Sequence, residues 1–189
     1  MFHVRLDATS RVTLLAGDLD FAECGLIPLA TPTRDDYVSR ARCFLNRAQA
    51  AFTASQLVSP SFDDSLELVE VGHGPGLHPR SQVVLFRQVV QDVTVESARA
   101  RVNFFDGRIV AFSGRLVQPS DLPPRRPAPD AYLDSQAQDY AGHQVLQRET
   151  VYDVVSQDFV VSYRSLDNTP QSVYLRLRER DGELLSSTP

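Results

Sequence analysis

The chain has 189 residues, 42% of them hydrophobic and 23% charged, which is the composition of a folded globular protein and excludes an intrinsically disordered one. A formal net charge of −5 argues against a general polyanion binder such as a nucleic-acid protein, while leaving room for a local basic patch. All 19 basic residues are arginine, and no run reaches the ~18 apolar residues of a membrane-spanning helix.

The N-terminus, MFHVRLDATSR, lacks the basic start and apolar core of a signal peptide. The expectation is either a cytoplasmic protein or one whose anchor precedes this sequence. A first hairpin is expected over residues 2–19, followed by the turn-rich connection DFAECGLIPLATP. Cys24 and Cys43 flank its end. Two buried thiols are the simpler reading of that pair, and a disulfide would require an oxidising compartment.

Tyr37, Ala41, Phe44, Leu45, Ala48, Ala51 and Phe52 recur at helical spacing and predict a helix from about Arg34 to Ala54. Thr33 is its expected N-cap, with Asp35 and Asp36 complementing the helix dipole. Extended segments follow, with Leu66 and Leu68 alternating with acids. The loop GHGPGLHPR then brings His73 and His78 within five residues of each other. They are weak metal candidates, because no HExxH helix or CxxC pair accompanies them. The three glycines and two prolines are also ordinary turn chemistry. No cofactor is expected.

Next come QVVLFRQVV and VTVESARARVNFF, and Asp106-Gly107 predicts a tight primed turn into RIVAFSGRLV. Residues 117–130 form a proline-rich connector, and a second helix is expected from about Asp130 to Arg148, weakened by Gly142. The chain ends in strands, DFVVSYRS and SVYLRLRE, joined by a turn at LDNTP. No nucleophile elbow is present, and the carboxylate pairs Asp35/Asp36 and Asp63/Asp64 sit where caps and turns account for them.

Arg11–Leu19 and Arg108–Leu116 agree closely in polarity, and both end in glycine, a charged residue and leucine. With SLELVEVGHGP answering FVVSYRSLDNTP, the offsets stay near 95. The expectation is therefore an α+β protein of two tandem ββαββ units, 1–92 and 93–189, each an antiparallel sheet on one amphipathic helix. The two are expected to pack separately or as one structural domain.

Arg99 and Arg101, and then Arg176, Arg178 and Arg180, alternate at the period of a strand. They are candidates for a surface that binds an acidic partner. The competing reading is the wet side of a half-buried sheet whose other side carries Val173, Leu175 and Leu177.

Residues 83–119 resemble the core of the FTP and PepSY propeptide-type domains. Phe86, Gln88, Val95, Asp106, Gly107 and Gly114 carry the match, although Asp92-Val93-Thr94 stands where that family has Gly-Ile-Pro. The C-terminal strand pair closing on Asp181-Gly182-Glu183 is similar to the PepSY ending. A related resemblance, to the YycI and YycH regulatory proteins of two-component systems, covers more of the chain. It implies a non-enzymatic, extracytoplasmic regulatory protein, membrane-associated through one anchor, that binds a sensor histidine kinase. The propeptide likeness implies a peptidase-inhibitory module instead. A small-ligand or metal site near residues 72–80 and a homodimer complete the alternatives.

Overall fold

The helical spacing from residue 34 onward produces helix α1, Arg34–Phe52. The Thr33 side chain accepts a hydrogen bond from the Asp36 N–H at 3.3 Å, and Asp36 accepts one from the Thr33 N–H at 2.8 Å. This reciprocal capping box fixes where the helix starts. The computed structural model describes residues 3–8, 12–19, 21, 24, 32–53, 58–59, 61–73, 78–142, 146–166 and 173–188. Most of the connection 20–32, loop residues 74–77, His143 and the turn 167–170 lie outside the described residues.

The other elements are β1 (His3–Leu6), β2 (Val12–Ala16), α2 (Ser61–Asp64), β3 (Leu66–Gly72), β4 (Ser81–Val90), β5 (Val93–Phe105), β6 (Arg108–Arg115), α3 (Asp130–Ala141), β7 (Leu146–Asp153), β8 (Asp158–Ser165), β9 (Tyr174–Arg178) and β10 (Leu184–Thr188). A 3₁₀ turn, Pro119–Asp121, interrupts the proline-rich connector. The chain divides into two compact units. The first holds residues 1–90 and 97–122, and the second holds 91–96 and 123–189.

In the first unit α1 buries Ala41, Phe44, Leu45 and Phe52 against Ala100, Val102, Phe104, Ile109 and Phe112 from β5 and β6. Phe52 stacks on Phe112 at 4.0 Å between ring centroids, and Tyr37 meets Phe104 edge-on at 5.0 Å. Each large apolar side chain buried here contributes roughly 1.5–3 kcal/mol relative to exposure. In the second unit α3 sets Leu133, Ala137 and Ala141 on Val161, Tyr163, Leu175 and Leu177.

The expectation of two tandem ββαββ units, each with its own antiparallel sheet, is overturned. Strand makes up 47% of the described residues against 25% helix; in the first unit the strands run β3-β4-β5-β6-β2-β1, and in the second β7-β8-β9-β10. β6 pairs with β2, so the hairpin assigned to a second repeat is built beside the first under α1. β5 also pairs in parallel with β7 through Thr94↔Val151 and Val95↔Tyr152. The internal likeness has a physical basis within one sheet. Leu15 and Phe112, which match in the alignment, sit directly opposite each other and bury the same face under one helix.

The helix expected to reach Arg148 ends at Ala141, where Gly142 takes φ 69°, and Leu146–Asp153 is a strand. Asp106 (φ 51°) and Gly107 (φ 74°) form the primed turn that their dipeptide predicts. Gly114 is required by close approach: a Cβ there would lie 3.0 Å from Ala100 Cα and closer still to the Arg99 carbonyl oxygen.

Cys24 and Cys43 form a disulfide, not the two free thiols preferred from sequence. It closes a loop of 19 residues in separation onto the middle of α1. Reduction, or the Cys24→Ser/Cys43→Ser variant, is expected to lower stability by about 3 kcal/mol through the restored chain entropy of the unfolded state. Denaturant unfolding with and without reductant checks this, and the double serine variant should be insensitive to the reductant.

Candidate functional site

Strand β5 alternates. Ala100, Val102 and Phe104 enter the core, while Arg99, Arg101 and Asn103 occupy the opposite face of the sheet. On one side of β5 the register extends that face across three neighbours; on the other side β4 and then β3 continue the sheet, with Glu67 opposite Arg87 and Glu70 opposite Leu85 on the outer face. One row reads Arg5, Leu14, Ser113, Arg101 and the next reads His3, Ala16, Ala111, Asn103. Arg115 lies directly opposite Arg99. No Asp or Glu stands at any of these positions on β1, β2, β6 and β5.

The charges on this face have few internal partners. Arg101 Nε donates to Asn103 Oδ1 at 3.1 Å, a neutral acceptor. Arg115 Nε is buried without a hydrogen-bond partner among the described residues. Two guanidinium groups directly opposite each other on adjacent strands repel, and a buried donor left unpaired costs roughly 1–3 kcal/mol. An anion seated between the two guanidinium groups would relieve their repulsion.

The arginines of the C-terminal region are placed differently. Arg176 pairs with Glu96 at 2.6 Å and Asp153 at 3.5 Å. Arg178 contacts Asp158 at 3.3 Å, Asp181 at 3.2 Å and Glu183, while Arg180 reaches Asp158 at 3.4 Å. Burial works to raise the Asp153 carboxyl, but hydrogen bonds from Val155 and Ser156 and the charge of Arg176 outweigh it and lower its pKa. Asp181 behaves alike: burial opposes and the Glu183 N–H with Arg178 and Arg180 prevails. These three arginines are therefore matched within the second unit, whereas Arg99 and Arg101 have no carboxylate partner among the described residues. Leu175 and Leu177 are buried on the other side of β9, as the alternation requires.

His73 Nδ1 lies 2.8 Å from the Ser81 carbonyl oxygen and must donate to it, leaving Nε2 to accept from the Gln82 amide at 3.1 Å. His78 Nδ1 accepts from the Arg80 N–H at 3.2 Å, and its ring stands 5.7 Å from Phe105. Each imidazole thus has its own protein partners. Among the described residues no group of three His, Cys, Asp or Glu side chains is placed to hold a metal. Of the carboxylate pairs, Asp36 serves the α1 cap and Asp63 binds Arg42 at 2.9 Å. A cavity of about 460 Å³ lies in the second unit, lined by Pro123, Pro124, Arg126, Phe159 and their neighbours, well away in sequence from the glycine–proline loop. Asp158 and Glu179 in its wall are already paired with arginines.

The chain matches no protein-family model and no curated protein. Sequence reasoning found Arg99 and Arg101 but missed Arg5, His3 and Arg115. Arg115 was signalled only by its place two residues beyond Ser113 on a strand with period two.

Proposed function

We propose that the protein is a non-enzymatic, extracytoplasmic interaction module that regulates a partner protein, with a membrane sensor histidine kinase as the partner class. The observation that carries the reading is the basic face: Arg5, Arg99, Arg101 and Arg115 gather on one side of the first unit's sheet, with no carboxylate partner among the described residues. The Cys24–Cys43 disulfide favours an oxidising compartment. No helix among the described residues is long and apolar enough to cross a membrane; in this reading the protein is membrane-associated through an anchor.

Crosslinking of the immobilised protein to a detergent-solubilised membrane fraction of its own organism tests the proposal. Enrichment of a sensor kinase, lost in an Arg99→Glu/Arg101→Glu variant, is the expected result. Capture that ignores the double charge reversal would remove this face from the mechanism, and absence of any kinase would remove the partner class.

A further inference from the structure

Resting on the reading of the basic face as a partner's seat, we propose that its occupant is an α-helix of the partner, with a stripe of small or apolar residues flanked on both sides by Asp and Glu. The dimensions of the face select a helix. Four strands lie in the order β1, β2, β6, β5. At ~4.8 Å between neighbours, the outer two are roughly 14 Å apart. β1 contributes His3 and Arg5 to one side, and β5 contributes Arg99 and Arg101 to the other. Between them β2 and β6 present only Leu14, Ala16, Ala111 and Ser113, all half-buried.

This is a low floor between two basic walls. A helix is ~10–12 Å across with its side chains, so it spans the floor and brings acidic flanks to both walls at once. An extended strand, about 5 Å wide in the plane of the sheet, would reach one wall only. From Arg99 to Asn103 the face runs about 14 Å along the strand, which matches two to three helical turns. Charge complementarity sets the sign. The whole chain is acidic at −5, yet β1, β2, β6 and residues 99–103 of β5 carry only Arg and His as ionisable groups on this face, while Glu96 earlier in β5 is paired with Arg176 and Glu67 on β3 with Arg87, so an acidic partner is drawn to this part of the face.

The test uses the full chain and three synthetic peptides about five turns long, of one length and labelled at one end. The first has an Ala/Leu stripe flanked by Glu. The second carries Lys at every Glu position. The third keeps the Glu composition but has proline in alternate turns, which prevents a helix. Fluorescence polarisation is expected to show the Glu helix binding at least tenfold tighter than either control. The affinity should fall with added salt and drop at least tenfold in the Arg99→Glu/Arg101→Glu variant, whose fold is checked by circular dichroism.

Equal binding of the proline peptide would overturn the helical occupant. Equal binding by the variant, or none by the wild type, would overturn the site. A kinase captured regardless of the charge reversal would leave the regulatory reading standing while this inference falls. Peptide binding without a captured kinase would do the reverse.

Discussion

Replacing Gln88 with leucine is expected to cost about 3–5 kcal/mol, among the largest losses of any single substitution in the first unit. Gln88 is fully buried. Its amide nitrogen donates to the Val117 carbonyl at 2.7 Å and its amide oxygen accepts from the Val117 N–H at 2.9 Å. The side chain thus supplies both bonds that a paired strand would give the first residues of the connector. A third bond runs to Ser65 Oγ at 3.1 Å. Leucine fills similar space but leaves the Val117 peptide groups without partners in a dry interior, where each orphan costs roughly 1–3 kcal/mol.

Gln88→Glu separates packing from hydrogen bonding. Its volume is unchanged, but an ionised carboxylate would face the Val117 carbonyl with no cation to balance it. Burial raises the pKa of such a carboxyl, so the variant is expected to be more unstable at pH 7 than at pH 5, where the protonated acid can again donate. Denaturant melts of both variants at the two pH values check the pair of expectations. An unchanged midpoint for Gln88→Leu would refute the role.

The second large effect is expected in the other unit, for Arg125→Ala. Glu179 is 1% exposed, and its carboxylate takes three hydrogen bonds from the Arg125 guanidinium, at 3.1, 3.0 and 2.6 Å. Hydrogen bonding to Glu179 raises the Arg125 pKa, outweighing its own desolvation. Removing the guanidinium strands a carboxylate in the interior, a loss of about 3–5 kcal/mol when one partner of a buried pair is deleted. Arg125 keeps some solvent contact, which places the expected value toward the lower end.

The double variant Arg125→Met/Glu179→Leu should recover most of that loss, because no charge is then left unpaired. Hydrogen exchange gives a local readout. The Ala128 N–H bonds the Glu179 carbonyl at 2.9 Å, and its protection should fall in the single variant and return in the double. Equal protection in all three proteins would show that the ion pair does not hold the connector.

These two residues also show what a sequence can reveal. Gln88 was noticed as one position of a family-like pattern, Phe86-x-Gln88, but its task needs a partner 29 residues away that no local pattern announces. The same pattern's other members have packing and turn duties: Phe86 is fully buried, Asp106-Gly107 turns a hairpin, and Gly114 admits the backbone of β5. Helix α1 was legible because its cap and apolar spacing are local. The sheet order was not, because β2 and β6 carry the same burial rhythm whether they belong to two repeats or to one sheet. Arginine alternation was equally visible in β5 and β9. Only the ion pairs of the folded chain show that acids meet the second set and that, among the described residues, none meets the first.

The division of β5 has a consequence for how the protein can be made. Residues 91–96 belong with the second unit, where Glu96 pairs with Arg176 and Gln91 bonds Pro123 and Arg125, yet they precede the close of the first at Leu122. A ribosome therefore releases this six-residue piece before its second-unit partners, Pro123, Arg125, β7 and Arg176, exist. It must stay available while β6 and the connector are synthesised. For the same reason, a fragment cut at residue 123 would lack one strand of its own sheet, and adding residues 91–96 back in trans should help it fold.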